Sequence, residues 1–140
     1  MTSHVPAALP HILLLDDDAF SLDLLREMLE SVGRFDVHTE TDGRSALNRI
    51  SQRAPDVMIC DLSMPDMDGI EFLHAAASGG YRGAVMLVSG MDTSVRRAAE
   101  RLARAQGLEV LGAWRKPVQL VDLQAALLPL LAPEGRLRHG

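Results

Sequence analysis

Cysteine occurs once in the 140 residues, at Cys60, which excludes an internal disulfide and suits a reducing compartment. Positive charge is in deficit, with 14 Lys and Arg against 19 Asp and Glu. Bulk electrostatics therefore gives no reason to expect nucleic acid or an anionic membrane as partner. No apolar run approaches the length of a bilayer span. The opening MTSHVPAALPH has neither a basic n-region nor a long apolar stretch, so no signal peptide is read there. Internal repeats, low-complexity segments and linkers are also missing. The expectation is a soluble cytoplasmic protein. What the chain does have is 47% apolar and 24% charged residues in 15.2 kDa, enough for one domain with a real core.

Apolar periodicity divides the chain into alternating elements. HILLL (11–15) is a short apolar run stopped by charge, as a strand buried on both faces should be. From Phe20 to Val32 apolar residues recur at steps of three and four, and Gly33 supplies a helix stop. RFDVHTE (34–40) alternates, with Phe35 and Val37 on one side, and DGRSALNRIS (42–51) reads as a short helix ended by Pro55. DVMIC (56–60) and AVMLV (84–88) are further apolar strands, separated by a Pro65–Asp68–Gly69 turn and a helix over about 70–78. A helix over 93–107, a strand over 108–114 and a helix over 119–131 complete the series. Five strand–helix alternations predict an α/β fold, a doubly wound parallel sheet with helices on both faces. Residues 11–131 form the domain, and 1–10 and 132–140 are expected to be loosely held tails.

Three adjacent carboxylates, Asp16, Asp17 and Asp18, end the first strand. Two carboxylates about 4 Å apart repel by roughly 4 kcal/mol at an effective dielectric near 20, so something must offset them. Ligands of open parallel sheets sit outside the carboxyl ends of the strands. That edge gathers Asp16 and Asp17 from the first strand, Asp61 from the third, Ser89 from the fourth and Lys116 after the fifth. Hard carboxylate oxygens beside one hydroxyl and one ammonium suit Mg²⁺ together with a phosphoryl group. Asp18 fits a helix N-cap instead.

LLLDDD, CDLSMPDMDG, VSG and RKP, in that order and each after its strand, resemble the receiver domains of two-component signalling. The likeness runs from about His11 to Leu131. It implies the flavodoxin-like strand order 2-1-3-4-5 and Asp61 as the phosphoacceptor. Asp17 would bind Mg²⁺ (or Mn²⁺) directly, Asp16 through water, and Asp61 and the Ser63 carbonyl would complete the protein ligands. Ser89 and Lys116 would hold the phosphoryl group, and Pro117 would follow a cis bond. A histidine kinase or phosphotransfer protein would be the donor. Output would pass to an effector protein or to a second copy in a homodimer, by the face of the fourth helix, fifth strand and fifth helix. SGMDTSVRRAAERLARAQGLEVLGAWRKP is further similar to receivers joined to EAL-type cyclic-di-GMP phosphodiesterase domains.

One position departs from that family. The aromatic that receivers carry three residues before the lysine is Ala113 here, which has no ring to bury. Trp114 either assumes part of that role or simply packs. Met64, Met67 and Met91 flank the expected site; Ser63 and Met91 occupy positions that tune acyl-phosphate lifetime in the family. Cys60 reads as core, the histidines as surface or core without a role, and Arg96, Arg97, Arg101 and Arg104 as a solvated face. Two other functions compete. A haloacid-dehalogenase-like phosphohydrolase would use Asp16 and Asp18 as a D-x-D pair, though the Thr or Val that usually follows is missing. A pseudo-receiver would dock partners without phosphorylation.

Overall fold

The computed structural model describes residues 9–64, 69–90 and 92–131. Ten elements alternate: β1 (His11–Leu15), α1 (Ala19–Val32), β2 (Asp36–Glu40), α2 (Gly43–Gln52), β3 (Val57–Asp61), α3 (Gly69–Ser78), β4 (Ala84–Ser89), α4 (Thr93–Ala105), β5 (Glu109–Arg115) and α5 (Leu120–Leu131). The strands pair in parallel in the order β2-β1-β3-β4-β5, as the sequence pattern and the resemblance together implied. Element ends fall within two residues of expectation. Pro65, Asp68, Met67 and Met91 lie outside the described residues or at their margin, as do most of the two tails. At the N-terminal margin Pro10 is buried, and its carbonyl accepts the Asp36 N–H at 2.9 Å.

Side-chain alternation on the buried strands builds two core layers. Leu13 and Leu15 of β1, Met58 and Cys60 of β3 and Val85 and Leu87 of β4 face α2, α3 and α4, where Ala46, Phe72 and Ala99 meet them. Ile12, Leu14, Ile59 and Met86 face α1 and α5, against Leu22, Leu29, Leu123 and Leu127. Cys60 is core, as expected.

Aspartates start three helices. Asp18, Asp42 and Asp92 accept the N–H groups of Phe20, Ser45 and Val95, each cap contributing about 1 kcal/mol. Gly80 (φ +102) and Gly107 (φ +94), in the turns after α3 and α4, take conformations that disfavour a side chain. Gly33 stops α1 as expected, its N–H bonding the Leu29 carbonyl, with φ 172 and an extended backbone. Leu131 of α5 is what crowds the position, since a Cβ there would lie 2.5 Å from its Cδ1 unless that side chain shifts.

β5 contains an irregularity that periodicity did not reveal. Val85 pairs with Val110, yet Met86 pairs with Gly112, so Leu111 has no counterpart. This bulge shifts the alternation of the strand. Ala113 consequently packs on the α2–α3–α4 layer, while Trp114 packs on the α1–α5 layer. Gly112 (φ +156) lies under the indole, and a Cβ there would meet Trp114 Cη2 at 2.6 Å.

Candidate functional site

Parallel topology delivers the ends of β1, β3 and β4 to one edge of the sheet. Asp16 follows β1 and is 7% exposed; Asp61 ends β3 and is 3% exposed; Ser89 ends β4 and is fully buried. Asp17 is exposed. Asp16, Asp17 and Asp61 each present a carboxylate oxygen within 4.8 Å of the others. Lys116 comes in from beyond β5, anchored by its own N–H on the Ser89 carbonyl at 2.9 Å. Its Nζ lies 2.9 Å from Asp16 Oδ2 and 3.1 Å from Asp61 Oδ2. The Lys116–Pro117 bond is cis.

Local hydrogen bonds fix the orientation of the acids. Asp16 Oδ1 accepts the Asp18 N–H at 2.9 Å, and Asp61 Oδ1 accepts the Ser63 N–H at 2.9 Å. The second oxygen of each thereby turns toward Lys116. Asp18 itself points away, capping α1 and accepting from Ser21 Oγ at 3.0 Å. Ser63 is exposed and Met64 buried beside the site.

Burial and charge oppose each other here. Burial raises the Asp61 carboxyl above the usual carboxylate range, with the Asp16 charge adding to it. The Ser63 N–H and the Lys116 ammonium pull it down without cancelling the rise. At Lys116 burial favours the neutral amine, but bonding and attraction from Asp16 and Asp61 outweigh it and raise its pKa. One ammonium therefore pairs with two of the three clustered carboxylates, and the cluster is left with excess negative charge. Three clustered hard-oxygen donors with unbalanced charge fit a small divalent cation such as Mg²⁺.

An apolar cleft of about 290 Å³ runs from these acids between α1 and the segment after Lys116. Leu22, Leu25, Met28, Pro117 and Val118 line it. Phe20 and Leu24 continue the apolar surface along α1, at 73% and 44% exposed.

The family model for the response regulator receiver domain matches residues 12–128. The chain belongs to that family. This receiver domain resembles the crystal structure of a response regulator from Colwellia psychrerythraea with TM-score 0.75 and 34% identity, covering 88% of this chain and 97% of that one. A CheY-like receiver domain from Methanospirillum hungatei matches with TM-score 0.77 and 25% identity over 95% of this chain and 100% of the other. Among curated proteins, the cyclic di-GMP phosphodiesterase RocR of Pseudomonas aeruginosa is 31% identical over 118 residues, which are 84% of this chain and 30% of RocR. The receiver spans 23% of one methylesterase relative and 52% of a PrrA regulator, so these relatives carry much besides it.

Ala113 and Trp114 answer the question that the missing aromatic raised. Adjacent on β5, they lie on opposite faces of the sheet by strand alternation, and the bulge sets the phase that packs the indole against the α1–α5 layer. Sequence reasoning missed His11, which is 3% exposed with a ring that has no hydrogen-bond partner among the described residues. Its signal was a histidine at the first position of an otherwise apolar strand.

Proposed function

We propose that this receiver takes a phosphoryl group on Asp61 in an Mg²⁺-dependent (or Mn²⁺-dependent) transfer from a phosphohistidine donor. The observation carrying this reading is the gathering of Asp16, Asp17 and Asp61 oxygens within 4.8 Å of one another, with the Lys116 ammonium bonded to Asp16 and Asp61. An Asp61 oxygen attacks phosphorus, a P–O bond forms as the P–N bond breaks, and the departing imidazole keeps the electron pair. The product is an acyl phosphate. Asp16, Asp17, Asp61 and the Ser63 carbonyl would hold the cation, which when bound offsets negative charge on the carboxylates and the phosphoryl oxygens. Lys116 neutralises a further phosphoryl oxygen, the Ser89 hydroxyl donates to another, and the open backbone at Gly90 leaves room for the group.

The domain, residues 11–131, accepts and loses its phosphoryl group without being an enzyme acting on an outside substrate. Its donor is a histidine kinase or phosphotransfer protein of the cytoplasm. Its output is a protein contact, with an effector or a second copy, and the likeness to RocR favours a route to cyclic-di-GMP. Phosphorylation moves an equilibrium only by its differential stabilisation of two states. A D-x-D phosphohydrolase reading loses its second acid, because Asp18 is spent capping α1.

Calorimetry with beryllofluoride and millimolar Mg²⁺ tests the reading. One-to-one binding that disappears in Asp61→Asn is the expected result. No binding by the folded wild type would favour a pseudo-receiver that docks partners constitutively.

A further inference from the structure

At the opposite end of β1 from the acidic site, a histidine is enclosed where it has nothing to bond. His11 pairs in register with Asp36 of β2. Its ring meets His38 edge-on, with centroids 4.8 Å apart and planes at 84°. Both His11 ring nitrogens are buried without a hydrogen-bond partner among the described residues. A neutral imidazole tolerates this poorly, and an imidazolium far worse.

Among the described residues, the carboxylates beside the ring are already engaged. From β2, Asp36 holds His38 Nε2 through Oδ1 at 3.1 Å and Arg53 through Oδ2 at 3.0 Å. His38 Nδ1 faces an Arg49 guanidinium nitrogen at 3.1 Å. Arg49 in turn bonds Glu40 at 2.7 Å. Before β3, Asp56 accepts the His11 backbone N–H at 2.7 Å. A strip of β2 residues (Asp36, His38, Glu40) is thus tied to α2 by Arg49 and Arg53, with the His11 ring beneath it.

We propose that His11 is an acid-sensitive latch of the sheet edge, and that protonating its ring releases β2 and α2 from β1. The new charge would face the Arg53 guanidinium and the His38 ring inside a closed space. Burial first, then Arg53 and His38, holds the His11 imidazole below its ordinary value of 6.5, against the weaker opposing pull of Asp36 and Asp56. The unfolded or opened edge therefore binds protons more readily below that value, and stability falls as pH drops through it. The release reaches the other end of β1, because the Glu40 carbonyl that closes β2 accepts the Asp16 N–H at 3.2 Å.

The test is amide exchange of β2 and β4 at about pH 7.5 and about pH 5.5, with the ring protons of His11 titrated by NMR in the same samples. In the wild type, β2 protection falls about tenfold for each pH unit between 6.5 and the His11 midpoint, while β4 is unchanged. His11→Leu, which suits a strand this apolar, keeps β2 protected at both values. The proposal is overturned if His11→Leu loses β2 protection as the wild type does, or if the His11 midpoint lies at or above 6.5. Should the leucine variant fail to fold, the wild-type midpoint and its coincidence with β2 release decide the matter alone.

Discussion

The ammonium of Lys116 lies 3.1 Å from the Asp61 carboxylate, although 55 residues separate them in the chain. The contact is produced by the order of strands: β4 lies beside β3, β5 beside β4, and Lys116 hangs from the Ser89 carbonyl. The same ammonium also reaches Asp16 at 2.9 Å, so one lysine bridges both acids.

Removing that cation should expose the repulsion it masks. Lys116→Met is expected to destabilise the domain by about 2 kcal/mol near neutral pH, below the 3–5 kcal/mol of a fully buried pair because the lysine is partly solvated. The loss should shrink as pH falls and the acids protonate, and millimolar Mg²⁺ should restore part of it. Urea titrations across pH, with and without the cation, check this.

Neutralising the buried acid should do the opposite. The folded Asp61 carboxyl titrates above its unfolded value of 3.8, so the folded state holds more protons between those two values. Stability then falls as pH rises through that window, and the full cost persists above it. Without Mg²⁺, Asp61→Asn is expected to be more stable than the wild type by about 1 kcal/mol at neutral pH, or a few degrees in Tm. That advantage should vanish at about pH 3.5. Calorimetric scans at both values settle the sign.

Two glycines differ in what they face. A Cβ on Gly69 would lie 2.5 Å from the Leu62 Cα, backbone that cannot move without shifting the residue after Asp61. On Gly33 the obstacle is the mobile end of Leu131. Gly69→Ala should cost about 3 kcal/mol and weaken Mg²⁺ binding, whereas Gly33→Ala should cost less than about 1 kcal/mol. Adding Leu131→Ala should remove much of the Gly33 penalty in a double-mutant cycle.

Most of the fold was written locally. HILLL, DVMIC and AVMLV are apolar throughout because both faces of those strands are covered, and the acids at their ends mark the sheet edge. The site was readable for the same reason, since strand ends converge by topology whatever lies between them. What stayed hidden depends on contacts between distant residues. Nothing near Gly33 says that Leu131 will press on it. The bulge at Leu111 appears only when β5 is laid against β4, and with it which face Ala113 and Trp114 each take. His11 looked like a residue of no consequence because its isolation arises from the closure of β2 and α2 over it.

The central claim is that Asp61 is the residue that takes phosphorus, and that it needs a divalent cation to do so. Intact-mass measurement after incubation with a small-molecule phosphoryl donor, with and without Mg²⁺, tests it most directly. The account predicts a gain of one phosphoryl group in the wild type with Mg²⁺, lost on chelation and absent in Asp61→Asn. Labelling of the folded Asp61→Asn protein at the wild-type level, or equal labelling in the presence of chelator, would contradict it.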